Sequence, residues 1–450
     1  MSQRPRLTVL GTGYLGITQA ACMASEGFDV LGLDTDAAKV DRLQAGEVPI
    51  YEPGLDALVR DGLGSGRLRF TTSYQRAADF GDVHFLCVGT PQQRDGHSAD
   101  TSQLESCITS LAPGLRRPCL VVGKSTVPVG TAARLRSLLA RLAPAAEAAE
   151  VCWNPEFLRE GHGVQDTLRP DRVVVGVTSA RAEAALRQVY APQIDAGIRF
   201  FVTDLATAEL SKVAANAFLA TKISFINAVA EVCDAAEADV MVLADILGCD
   251  PRIGSAFLRP GLGFGGGCLP KDVRAFQASA AELGAGDALR FLHEVDAINL
   301  GRRTHMVSLV AEALGGSVAG RAVCVLGAAF KPGSDDVRDS PALDVARILH
   351  GMGAQITVYD PAAMENARAV CPEFSYGDSA LGAAVDADIV LLLTDWPEFG
   401  AIDPDALGAV TAGRLLVDGR YALDPEAWRG AGWSYRACGI PSPNTTHQLS

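Results

Sequence analysis

No pair among the eleven cysteines is spaced as CxxC, and no Cys and His stand at zinc-ligand spacing. A redox dithiol and a zinc module are therefore not expected, nor is any other metal. Eleven is odd and the cysteines are scattered, so no disulfide framework follows and a reducing, cytoplasmic compartment fits best. Basic residues are also in short supply. There are 39 Lys and Arg against 53 Asp and Glu, a formal net charge of -14. That balance argues against a nucleic-acid or anionic-membrane partner. An anionic ligand would need a few local Lys or Arg and helix N-termini. No apolar run approaches the roughly 20 residues that span a bilayer. The opening MSQRPRLTVLG enters a β pattern at once, which leaves no space for a signal peptide. What remains is ordinary for a globular chain: 450 residues, 48% hydrophobic and 20% charged. That length predicts two or three domains.

The first positive signal is a short β run, residues 6–11, leading into Gly11-Thr12-Gly13-Tyr14-Leu15-Gly16. A helical pattern, a second strand over 29–33 and then Asp34 follow. Strand, GxGxxG, helix, strand and acid together make the dinucleotide fingerprint. Gly11 allows the tight turn, Gly13 admits the diphosphate, and Gly16 lets the helix pack on the strand. Asp34 is placed to accept from the adenosine ribose hydroxyls, which favours NAD over NADP. Two further buried strands end in Gly89-Thr90-Pro91 and Lys124-Ser125-Thr126. Ligands sit at the carboxyl ends of parallel strands, which places Thr90 and Thr126 beside the cofactor.

The segment 151–161 carries Glu156, Arg159 and Glu160 around the apolar pair Phe157 and Leu158, at near-helical spacing. From about 205 to 247 the β signal gives way to long helical patterns. Lys212 and Asn216, four apart, share a helix face there. The largely apolar neighbours of Lys212 predict a semi-buried amine directed at a ligand. Near 320 a second β/α alternation begins, without a GxGxxG; Lys331 and Arg338 in it are phosphate-binding candidates. The architecture read from the chain is α/β, helical, α/β, with domains over 1–203, 204–316 and 317–450. A helical middle of this kind suits a dimer interface. The tail from about Gly439 is polar and expected to be disordered.

One stretch stands apart, Gly261–Asp272, GLGFGGGCLPKD. Pro270 suits the first turn of a helix. Cys268 would then precede a helix N-terminus, where the dipole and Lys271 favour a thiolate. The glycines remove side-chain bulk, so that a substrate can press on the backbone. These features point to a nucleophile.

Taken together, GTGYLG, PIYEPGL, VGTP, KSTVPVGT, NPEFLREG, ELSKVAANAFLATKISFIN, GFGGGCLPKD and FKPGSDDVRDSP resemble the nucleotide-sugar 6-dehydrogenase family, in that order over roughly residues 6–430. The resemblance implies an N-terminal NAD-binding Rossmann domain, a central helical dimerisation region and a C-terminal Rossmann-like domain for the nucleotide sugar. It implies oxidation of a sugar C6 alcohol to a carboxylate with two NAD in turn, by a homodimer. Cys268 matches the family's nucleophile, with Lys212, Asn216 and Asp272 as its partners. Thr126 and Glu156 match water- or substrate-positioning groups. Asp34, Lys39, Thr126, Glu160, Lys271 and Arg338 match NAD contacts, beside the glycine turn with Tyr14 and Leu15. Substrate contacts are implied for Glu156, Phe157, Leu158, Arg159, Glu160, Lys212, Asn216, Phe257, Leu258, Arg259, Pro260, Gly261, Gly265 and Lys331. Arg252 matches an arginine that reaches the substrate from the other subunit. The DPRIGSAFLRPGLGFGGGC segment is most like that of members acting on UDP-glucose; dTDP-glucose, GDP-mannose and UDP-N-acetylmannosamine are the alternatives. Two positions depart from the family pattern: Gly267 where many members have Ser, and Ala228 where Glu is common.

Overall fold

The computed structural model describes residues 4–93 and 96–440. Those residues fall into two compact units. One takes the chain up to Ala215 together with Arg274–Gly286; the other takes Asn216–Val273 and the chain from Asp287. The helical middle is thus divided between them.

The first unit is built on an eight-stranded sheet of β1 (Leu7–Leu10), β2 (Val30–Leu33), β3 (Leu68–Thr71), β4 (Val83–Leu86), β5 (Cys119–Gly123), β6 (Ala149–Trp153), β7 (Arg172–Gly176) and β8 (Arg199–Thr203). Their order is β3-β2-β1-β4-β5-β6-β7-β8. β1 and β4 are buried along their whole length, the pattern of parallel strands covered on both faces. Ile17, Met23, Phe28 and Phe70 fill one face of the sheet. Ile108, Leu111, Leu135 and Trp153 fill the other. In register, Leu10 lies beside both Leu33 and Leu86. The chain therefore leaves β1, β2 and β4 at one level, and the order reverses between β1 and β4. In doubly wound sheets that switch point is where a dinucleotide lies.

The second unit repeats the design with six strands: β9 (Ala322–Leu326), β10 (Gln355–Tyr359), β11 (Ser375–Tyr376), β12 (Ile389–Leu392), β13 (Leu415–Asp418) and β14 (Ser434–Arg436). Their order, β11-β10-β9-β12-β13-β14, is that of the first six strands of the other sheet. The turn after β9 bends at Gly327, φ +106°. Asp360, directly after β10, accepts from the N–H groups of Ala328 (2.8 Å) and Ala329 (2.9 Å) and from the Trp396 indole (3.0 Å). It is almost wholly buried.

The long helix Leu205–Ala236 has 32 residues. It contains no unbroken apolar run of about 20 residues, yet its length and mean hydropathy are those of a helix that could cross a membrane. By length and composition it alone qualifies among the described residues, with nearly half of its most apolar stretch buried in the fold. The helix is apolar on average, with polar residues interspersed. Along it Phe218, Phe225 and Val232 recur every seven residues and are 67%, 53% and 65% exposed. Val242 and Ile246 on the next helix, Val240–Gly248, are also exposed.

Residues 154–162 form a loop, although their charges stand at near-helical spacing. Pro155 supplies no N–H, and the Asn154 amide is committed to the Val174 carbonyl at 2.8 Å. Gly439 is not loose: its carbonyl accepts from Val240 N–H at 2.9 Å. The rest of the tail expectation, 441–450, lies outside the described residues.

Candidate active site

The glycine turn has three glycines for three reasons. Gly11 sits at φ +88°, and a Cβ there would lie 2.9 Å from the Val88 side chain. Gly16 has no room for a side chain, since a Cβ would overlap the Gly11 carbonyl oxygen. Gly13, by contrast, faces open space with no protein atom within 4 Å. Its φ of −71° is ordinary. It precedes the helix Tyr14–Ser25, whose first N–H groups and positive dipole end face outward. That arrangement suits a diphosphate. Asp34, after β2, accepts from Thr12 N–H (3.0 Å), Thr12 Oγ1 (2.8 Å) and Lys39 Nζ (3.0 Å). Burial alone would raise its pKa, but hydrogen bonds from Thr12, Asp36 and Lys39 outweigh it and hold the carboxyl below the usual range. An ionised acid at this place suits a ribose diol and opposes a 2′-phosphate. The residues therefore fit NAD. Thr90 and Thr126 are brought together, the Thr90 hydroxyl donating to the Thr126 carbonyl at 2.7 Å.

The same unit gathers the NPEFLREG loop. Lys212 is buried, and its ammonium lies 3.0 Å from Glu156 Oε1 and 5.7 Å from the Phe157 ring centre. The other Glu156 oxygen accepts from Leu158 N–H at 2.6 Å. Arg159 is bound to Asp166 by its main-chain N–H (2.8 Å) and by its guanidinium (2.9 and 2.6 Å).

In the other unit, Cys268 immediately precedes the helix Leu269–Glu282 and its carbonyl accepts from Asp272 N–H at 2.9 Å. Nine of the eleven cysteines are buried; Cys268 and Cys249 are exposed. Burial pushes the Cys87 and Cys152 thiols up to about 12. Behind Cys268, Asp272 is 1% exposed and takes the Asn216 amide on one oxygen and the Lys271 ammonium on the other, both at 2.7 Å. Asn227 accepts from Gly261 N–H at 2.8 Å.

The glycine run serves packing as well. A Cβ on Gly263 or Gly265 would overlap Asn299 or the Asp339 carbonyl, and one on Gly266 would lie 2.8 Å from the Phe330 ring. These faces, expected to receive a substrate, meet the protein itself. Gly261 and Gly265 are buried accordingly. Leu258 and Pro260 are also buried, and Arg259 is exposed. Phe257 is partly exposed at φ +63°, a conformation costly for a bulky side chain. Lys331 lies over the Phe330 ring at 5.4 Å. Arg252 stays apart from the cluster, its side chain 87% exposed and bonded to Asp250.

Three domain models of the UDP-glucose/GDP-mannose dehydrogenase family match the chain: the NAD-binding domain over 5–194, the central domain over 206–300 and the UDP-binding domain over 324–425. The chain belongs to the UDP-glucose/GDP-mannose dehydrogenase family. It is an NAD-dependent oxidoreductase. The UDP-glucose 6-dehydrogenase of Rhizobium meliloti is 40% identical over 439 residues, 97% of this chain and 100% of that protein. That of Bacillus subtilis named TuaD is 38% identical, covering 98% and 94%. Among solved structures, a UDP-glucose dehydrogenase from Pyrobaculum islandicum superposes with a TM-score of 0.89 at 38% identity, covering 98% of each chain. A UDP-D-ManNAc dehydrogenase from Pyrococcus horikoshii gives 0.84 at 28%, covering 96% and 99%.

Two features of this family member escaped the sequence reading. Arg420 gives its guanidinium to the carbonyls of Leu393 (2.9 Å), Phe330 (3.3 Å) and Gly263 (3.4 Å). No carboxylate lies within ion-pair distance of it among the described residues, but Asp395 and Asp418 act on it through space, and burial lowers its pKa. Its position just beyond the carboxyl end of β13 was the signal for it. Gly267 has a neighbour that explains its departure from Ser. A Cβ there would lie 2.6 Å from Arg338 Nη1, and Arg338 in turn grips Asp336 through two nitrogens.

Proposed function

We propose that this enzyme oxidises UDP-glucose at C6 to UDP-glucuronate in two steps through a covalent adduct on Cys268. The observation that carries the reading is one exposed thiol at a helix start, backed by the buried Asn216 and Asp272 and the partly exposed Lys271. The relatives named UDP-glucose 6-dehydrogenase over nearly full length support the substrate. NAD, when bound, accepts the hydride at each of the two oxidations. Glu156 and Lys212 hold the C6 hydroxyl and the charge that develops as its proton leaves. The Cys268 thiolate adds to the resulting aldehyde, forming a C–S bond and an oxyanion that becomes a thiohemiacetal hydroxyl. Loss of hydride and of that hydroxyl proton leaves a thioester. Lys212 and Asn216, one turn apart on their helix, stabilise the oxyanions, worth about 3 kcal/mol per well-placed donor. Water attacks the thioester while Asp272, whose oxygens each keep a second lone pair, takes its proton; the C–S bond breaks and the thiol is regenerated. Thr126 positions this water.

Lys331, Arg338 and Arg420 supply positive charge for the nucleotide diphosphates. The stripe of Phe218, Phe225 and Val232 supports a homodimer, with Arg252 of one subunit reaching the substrate of the other; a lipid-facing helix is opposed by Lys212, Asn216 and Lys222 along it. Nine buried thiols suit a reducing cytoplasm. The decisive experiment offers the enzyme UDP-glucose, dTDP-glucose, GDP-mannose and UDP-N-acetylmannosamine with NAD. Two NADH per sugar, with UDP-glucose turned over fastest, are expected. One NADH per sugar would refute the adduct, and a faster rival would refute the substrate.

A further inference from the structure

Glu52, in the PIYEPGL segment, is 5% exposed and has no cation within ion-pair distance among the described residues. Three donors hold its carboxylate instead. The Tyr14 hydroxyl donates to Oε2 at 2.5 Å, Gly161 N–H to the same oxygen at 2.9 Å, and Val164 N–H to Oε1 at 3.2 Å. Gly161 N–H is shared with the Tyr14 oxygen at 3.2 Å. Tyr14 belongs to the cofactor turn, as the first residue of its helix. Gly161 lies in the loop that carries Glu156, Arg159 and Glu160, and Val164 in the helix Gly163–Leu168 that follows it. Tyr14 is seated so closely that a Cβ on Gly163 would lie 2.5 Å from its hydroxyl. One buried anion therefore ties the cofactor turn to the substrate loop.

The electrostatics give this tie a sign. A diphosphate on the cofactor turn adds negative charge near a carboxylate that no cation offsets. With the loop docked, Gly161 N–H screens that carboxylate beside the Tyr14 hydroxyl and Val164 N–H; with the loop away, that donor is lost and the anion meets a less screened charge. Cofactor binding is then favoured when the loop is docked. By linkage, bound cofactor favours the docked loop equally. We propose that Glu52 and Tyr14 are positioning residues that couple NAD occupancy to the Glu156–Glu160 loop. This rests on the substrate reading above only for the choice of sugar nucleotide.

The test measures coupling without turnover. NADH and the sugar nucleotide that the wild type oxidises are titrated calorimetrically, each alone and each with the other saturating. Coupling of roughly tenfold is expected in the wild type, within the usual range. Tyr14→Phe and Glu52→Gln should each bring it towards unity. Glu52→Gln should also bind NADH alone as well as or better than wild type, because the repelling charge is gone. A residue that only held the fold would weaken NADH in every setting. Tyr14→Phe keeps the ring and the charge, and guards against a folding defect in Glu52→Gln. Wild-type coupling near unity, coupling unchanged in either variant, or weakened NADH binding alone in Glu52→Gln would overturn the proposal. Failure to oxidise UDP-glucose would overturn only the substrate reading.

Discussion

Substituting the three glycines of GTGYLG by alanine, one at a time, should give three different outcomes. Gly13→Ala is the informative one. Its φ of −71° suits any residue, and no protein atom lies within 4 Å of the new methyl. Reduced freedom of the unfolded chain favours alanine by about 0.4–1 kcal/mol. The poorer N-terminal capping of alanine costs a similar few tenths to about 1 kcal/mol. Stability should thus change by less than about 1 kcal/mol, roughly 2–4 °C in melting temperature for a unit of this size. Cofactor affinity should fall sharply. The methyl occupies the space a diphosphate needs to reach the helix N–H groups, and each charged hydrogen bond lost is worth about 1.5–3 kcal/mol. One lost bond gives about tenfold to about a hundredfold weaker NAD binding, and two give up to about ten-thousandfold. Gly16→Ala, whose methyl would overlap the Gly11 carbonyl, should lower the melting temperature markedly even without ligand. Gly11→Ala should do so too, through its φ of +88°. Melting curves and NAD titration on the same samples separate these outcomes. Wild-type NAD affinity in Gly13→Ala would refute the placement of the diphosphate on this turn.

Cys268→Ser should abolish net acid formation while leaving the melting temperature within about 1 kcal/mol of stability, since the side chain is exposed; wild-type turnover would remove Cys268 from the mechanism. Brief alkylation at pH 8 should modify Cys268 and Cys249 ahead of the other nine, read by peptide mass spectrometry, because those nine are buried. Gly267→Ser should displace Arg338 and weaken NAD binding about threefold to tenfold without unfolding, since a flexible side-chain end can yield. Phe225→Glu should shift the enzyme from dimer to monomer in analytical ultracentrifugation at micromolar concentration; an unchanged dimer would place the interface elsewhere.

The strands, the glycine turn and the helix after Cys268 were legible because each rests on local chemistry: period, punctuation, a proline in the first turn. Asp34 and Lys39 could be named as a pair of cofactor residues, and they stand 3.0 Å apart. The Cys268 motif was legible for the same reason. What the glycines beside it face was not, because Asn299, Phe330 and Asp339 come from distant parts of the chain and only the fold brings them there. The near-helical charge spacing at 156–160 yields no helix, because a proline and a committed Asn154 amide stand just before it. Arg420 and Glu52 were missed for a further reason. Each is a charged residue held by hydrogen bonds to groups far away in the chain, Arg420 to three carbonyls and Glu52 to Tyr14, Gly161 and Val164, and sequence does not display such partners.

The two sheets share a strand order, and they also share a detail that selection for a common outline would not require. In each, an acid directly after the second strand reaches back to main-chain N–H groups in the turn after the first: Asp34 to Thr12, Asp360 to Ala328 and Ala329. Asp34 keeps some access to solvent beside a glycine turn that a ligand can enter. Asp360 is sealed in, with the Trp396 indole as a third donor. The same device thus stands open on one sheet and shut on the other, so a ribose diol can reach the first acid and not the second.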